Sequence, residues 1–120
     1  MCDVLLLDDD WLVRNTLLSL LEAEGYDVHE VATPAEAMHF VEAEGGCRVL
    51  VTDIDLGVPG LNGFEVAARV RRLVPGMPVV FISGRDWHLN DRPSAPDERS
   101  LAKPFRGNDL IHAVQELMAA

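Results

Sequence analysis

The chain has 120 residues, 48% of them apolar, and a formal net charge of −10. That length suits one domain with one ordinary core, and the acidic balance argues against a surface that binds phosphate backbones. No apolar run approaches a membrane span, and the N-terminus carries acids where a signal peptide needs bases, so a cytoplasmic protein is expected.

Taken in chain order, Val4–Leu7 reads as a short apolar strand followed by three acids. Asp10 is placed to cap a helix, which Leu17, Leu18 and Leu21 continue on one face from Trp11 to Glu24, where Gly25 stops it. Asp27–Val31 is a weaker strand. Thr33-Pro34-Ala35-Glu36 is a capping box with proline at the first helical position, and that helix runs to Glu44 before Gly45-Gly46. Arg48–Thr52 is a strand ending on Asp53 and Asp55. A helix is expected over Asn62 to Leu73, with Phe64, Ala67 and Val70 inward. A fourth strand lies within Met77–Ile82, a short fifth at Ser100–Ala102, and a final helix over Arg106 to Met118. The segment 85–99 holds two prolines, many charges and only Trp87 and Leu89 as large apolar residues, so a short or absent fourth helix is expected there.

Strand and helix alternate throughout, which specifies an α/β domain with a parallel sheet. The strands VLLL, VLVT and VVFI are apolar without alternation, as strands covered on both faces should be. The doubly wound, flavodoxin-like order 2-1-3-4-5 suits five strands, with helices on both faces. In that order strands 1 and 3 are neighbours at the switch point, where ligands bind beyond the carboxyl ends. Asp8, Asp9 and Asp53 then share one crevice, and three carboxylates there repel one another unless a divalent cation relieves them. Oxygen ligands in a shallow cleft suit Mg²⁺. Ser83-Gly84 after strand 4 and Lys103-Pro104 after strand 5 reach the same edge; nine arginines accompany this single lysine. A carboxylate nucleophile, a cation, a hydroxyl and an amine together form a phosphoryl site. The four histidines show no metal-ligand spacing and read as surface or rim residues. The count allows a disulfide between Cys2 and Cys47, but buried or idle thiols are expected.

These residues resemble a response regulator receiver domain of two-component signalling. The resemblance covers the whole chain and rests on Asp8-Asp9, Asp53, Ser83 and Lys103-Pro104-Phe105, each at a strand end. It implies that Asp53 accepts a phosphoryl group from a phosphohistidine of a histidine kinase or phosphotransfer protein. It implies that Asp9 and Asp8, with Asp53 and the backbone carbonyl of Asp55, hold Mg²⁺. Ser83 would bond the phosphoryl oxygen, and Lys103 would pair with Asp53 and then with the phosphoryl group. The Lys103–Pro104 bond would be cis. Residues 1–120 would form one phosphoacceptor switch domain that passes the signal to a downstream protein. It would not be an enzyme beyond its own phosphorylation and slow dephosphorylation, and would bind neither nucleic acid nor membrane. Met1 and the completed last helix favour a stand-alone regulator over a receiver of a hybrid kinase. Two rivals remain: a phosphatase of haloacid-dehalogenase type using Asp53-Ile54-Asp55, and an inactive receiver used only for docking.

The chain departs from the family pattern at three places. The loop after Asp53 is about two residues longer than usual, Ser100 stands where an aromatic residue is common, and the fourth helix is degraded. Asp55 and Arg85, two residues after Asp53 and Ser83, are expected to pair across the mouth of the site. Trp11 is expected on the rim or as a staple for the first helix.

Overall fold

The three central strands are buried along their whole length, while the two edge strands carry polar, exposed residues. The structure, a computed structural model, describes residues 2–57, 61–84 and 95–119. In chain order the elements are β1 (Val4–Leu7), α1 (Trp11–Ala23), β2 (Val28–Val31), α2 (Pro34–Glu44), β3 (Val49–Asp53), α3 (Gly63–Leu73), β4 (Val79–Ser83), β5 (Glu98–Ala102) and α4 (Gly107–Ala119). They form one parallel sheet in the order β2-β1-β3-β4-β5. Side chains alternate across the three central strands. Leu5, Leu7, Leu50, Val79 and Phe81 face α2 and α3, with Val41, Val66, Ala67 and Val70. Val4, Leu6, Val49, Val51, Val80 and Ile82 face α1 and α4, with Leu17, Leu21, Leu110, Val114 and Leu117. The expected doubly wound α/β fold is therefore present. Among the described residues there are four helices; the segment 85–94, with Trp87 and Leu89, lies outside them.

Helix starts follow their caps. The Asp10 side chain accepts from the backbone N–H groups of Leu12 and Val13, Thr33 from that of Glu36, and Asn62 from that of Glu65. Three elements differ from the sequence expectation. β3 is shifted one residue, so Asp53 is its last member. β5 starts at Glu98 rather than Ser100, because the buried Glu98 carboxylate is held by Arg71 of α3 at 2.7 Å. On α3, Val66 is buried and Phe64 only half-buried, with the Phe64 ring 4.8 Å from that of Phe81.

The thiol expectation is overturned: Cys2 and Cys47 are bonded to each other, with Cα atoms 4.7 Å apart. The reason is sheet register. β1 pairs with β3 as Val4↔Val49, and two residues earlier the same ladder sets Cys2 beside Cys47.

Candidate functional site

The end of β1 carries the first acids. Asp8 is only 1% exposed. Its backbone N–H donates to the Val31 carbonyl at 3.3 Å, continuing the pairing with β2. Its Oδ1 accepts from the Asp10 N–H at 2.9 Å, while Oδ2 is buried without a hydrogen-bond partner. Burial, first, and the neighbouring Asp53 and Asp9 carboxylates raise the Asp8 pKa from 3.8 to about 6, against the Asp10 N–H and Lys103, which lower it. Asp9, the next residue, is exposed.

One strand away, Asp53 ends β3 at 7% exposure. Its Oδ1 accepts from the Asp55 N–H at 3.1 Å, and its Oδ2 lies 3.1 Å from Lys103 Nζ. Carboxylate oxygens of Asp8, Asp9 and Asp53 all lie within 4.8 Å of one another. Winding has thus gathered acids 45 residues apart at one edge, as the register Val4↔Val49 requires. All three donors are carboxylate oxygens, and one is buried and unpartnered, so a hard dication that takes oxygen ligands fits them.

Lys103 reaches Asp53 from the turn after β5. Its backbone N–H donates to the Ser83 carbonyl at 2.8 Å, and the Lys103–Pro104 bond is cis. Ser83 is fully buried, one residue past the Ile82 that pairs with Asp53. Asp55 is exposed, and its backbone N–H serves Asp53, a contact the sequence did not suggest. Arg85, the expected partner of Asp55, lies outside the described residues. Trp11 is 66% exposed, so it does not serve as a buried staple for α1. Ser100 is exposed on β5.

Other residues shape the site without having been singled out. Gly57 adopts a φ of +70°, and a Cβ there would stand 3.0 Å from Asp9 Oδ2. Gly63 opens α3 against the end of β3, where a Cβ would stand 2.5 Å from the Asp53 carbonyl oxygen. Arg14 reaches back from α1 to the Asp8 carbonyl at 2.8 Å. A glycine in a loop and an arginine one turn after a cap carry no local pattern that sets them apart in the sequence.

Comparison with known proteins points the same way. Residues 4–115 match the family model of the response regulator receiver domain. The chain is 40% identical over 120 residues to the aerobic respiration control protein ArcA of Escherichia coli K12, covering 97% of this chain and 48% of ArcA. It is 33% identical over 119 residues to the response regulator receiver protein CpdR of Brucella abortus strain 2308, covering 98% of this chain and 97% of CpdR. The crystal structure of a response regulator receiver protein from Sinorhizobium medicae WSM419 superposes with a TM-score of 0.85 at 34% identity, covering 99% and 95% of the two chains. The chain thus spans about half of ArcA and nearly all of CpdR. With the five-stranded order, the acid cluster and the Lys103–Asp53 contact in place, the chain belongs to the response regulator receiver domain family.

Proposed function

We propose that residues 1–120 form a phosphoacceptor switch in which Asp53 takes a phosphoryl group from a phosphohistidine of a partner histidine kinase or phosphotransfer protein. The observation that carries this is the Asp53 carboxylate itself: held by Lys103 on one oxygen and the Asp55 N–H on the other, and grouped with the Asp8 and Asp9 oxygens. An Asp53 oxygen attacks phosphorus, the P–N bond breaks, and the electron pair leaves with the imidazole. The product is an acyl phosphate on Asp53. Asp8, Asp9, Asp53 and the Asp55 carbonyl would hold Mg²⁺, which when bound would supply positive charge toward the phosphoryl oxygens. Lys103 exchanges its Asp53 contact for one with the phosphoryl group, so its ammonium stays paired throughout. Ser83, buried beside the acceptor strand's end, donates its hydroxyl to a phosphoryl oxygen and draws its loop inward. A downstream protein reads that shift. The domain turns over no external substrate beyond its own phosphorylation and slow dephosphorylation, and it works in the cytoplasm. No helix among the described residues is long and apolar enough to cross a membrane.

The phosphatase reading is weaker. It needs the Asp55 carboxylate to protonate a leaving group, whereas the contact from Asp55 to Asp53 is made by its backbone N–H. Incubation with Mg²⁺ and a small acyl phosphate tests both. The expected result by mass spectrometry is one phosphoryl adduct, removed by hydroxylamine and abolished by Asp53→Asn. No adduct, even with a cognate kinase, would leave a docking-only receiver; steady turnover of a phosphate ester would restore the phosphatase.

A further inference from the structure

Arg14 lies on the first turns of α1, yet its side chain is only 13% exposed. An arginine that deep needs partners, and it has one on each of two elements. Its Nε donates to Glu30 Oε1 on β2 at 3.0 Å, and its Nη1 donates to the backbone carbonyl of Asp8 at 2.8 Å. The residue register of β1 with both neighbours ends at Leu7, and beyond it the Asp8 N–H makes one more bond, to the Val31 carbonyl of β2. The Asp8 carbonyl lies just beyond, at the turn that turns the two acids into the site.

We infer that Arg14 is a positioning residue for the cation site, acting through the peptide that joins Asp8 to Asp9. This inference rests on the proposed Mg²⁺ site. The peptide unit is planar, so the Asp8 carbonyl and the Asp9 N–H rotate as one body. Gripping the carbonyl therefore sets the backbone from which the exposed Asp9 carboxylate projects. Asp8 is held on its other sides by Val31 and Asp10, so the Arg14 bond completes the fixing of both acids. Glu30 orients the guanidinium and offsets its charge, which would otherwise oppose a cation nearby.

Two effects of Arg14 on cation binding have opposite signs, and this makes the test decisive. If Arg14 matters only as a nearby positive charge, removing it tightens Mg²⁺. If it positions the acids, removing it weakens Mg²⁺, by roughly tenfold on the scale of other ligand-orienting contacts. Calorimetric titration of the full chain with MgCl₂, at constant pH and ionic strength, reads the affinity directly. Arg14→Met keeps the packing of the stem and is expected to raise Kd by about tenfold. Arg14→Lys keeps the charge and one donor but loses the fork, and is expected to fall between the two. A parallel thermal melt without metal separates loss of fold from loss of affinity. An unchanged or lower Kd in the folded Arg14→Met protein overturns the inference. Should that variant not fold, Arg14→Lys decides: a Kd equal to wild type overturns it, and a raised Kd supports it. A wild-type chain that binds no Mg²⁺ sinks the proposed site and this inference together; a wild-type chain that binds while both variants bind equally well sinks the inference alone.

Discussion

At the amino-terminal ends of the strands the buried Glu98 carboxylate meets an arginine, while at the carboxyl ends one buried carboxylate oxygen has no hydrogen-bond partner. Glu98, buried at the start of β5, receives Arg71 Nη1 at 2.7 Å, and the same arginine donates to the Met77 carbonyl at 3.0 Å and pairs with the Asp97 carboxylate at 3.1 Å. Cys2 and Cys47 join the starts of β1 and β3 covalently. At the other edge of the same sheet, Asp8 Oδ2 is the one buried side-chain polar atom among the described residues without a hydrogen-bond partner. Three acids crowd there against one amine. The contrast separates the two edges: at the amino edge buried charge is paired and two strands are joined covalently, whereas at the carboxyl edge one buried carboxylate oxygen has no hydrogen-bond partner, which is where the proposed function places a cation.

That comparison is open to attack from both ends. The largest effect is expected at the amino edge, where Arg71→Met takes away the guanidinium that lies 2.7 Å from the buried Glu98 carboxylate. A loss of roughly 3–5 kcal/mol should appear in urea denaturation. If the variant is as stable as wild type, the latch is not what secures that edge. Next, Cys2→Ser opens a loop closed over a sequence separation of 45. Loss of about 2–4 kcal/mol is expected, and wild type under reducing conditions should melt at the same temperature as the variant.

At the carboxyl edge the sign reverses. Carrying the Asp8 pKa from 3.8 to about 6 means that the metal-free fold binds this proton more tightly than the unfolded chain does. Stability therefore falls as pH rises from about 4 through about 6, by roughly 3 kcal/mol in all, and the loss is complete above that window. Asp8→Asn should remove the pH dependence and stabilise the metal-free protein at neutral pH by up to that amount, while weakening Mg²⁺. A metal-free Asp8→Asn protein that is less stable than wild type would break the comparison. The smallest effect sharpens it. Gly63→Ala sets a methyl against the Asp53 carbonyl oxygen and the Ile54 Cα, neither of which can swing aside as a side chain does. About 1–3 kcal/mol should be lost, with slower Asp53 phosphorylation as β3's end shifts.

Much of this architecture was legible. The unalternating apolar runs announce strands covered on both faces, the caps Asp10 and Thr33 locate two helix starts, and the winding rule brings Asp8, Asp9 and Asp53 to one edge. Lys103 followed from its place after the last strand. Other features were not legible because they depend on partners far along the chain. Glu98 looks like a loop acid until Arg71, 27 residues earlier, is seen to neutralise it. Arg14 looks like a solvated helix residue until the turn after β1 presents the Asp8 carbonyl to it.

The cysteines mark the boundary most clearly. Their spacing of 45 equals the offset of the β1–β3 register, so the information was present in the chain, but only as one of many possible offsets. Local periodicity and capping determined which segments are strands and helices, because those preferences act over a few residues. Register, burial of individual charges and the orientation of the acids were decided only by the packed tertiary structure, because each depends on which distant group occupies the neighbouring space.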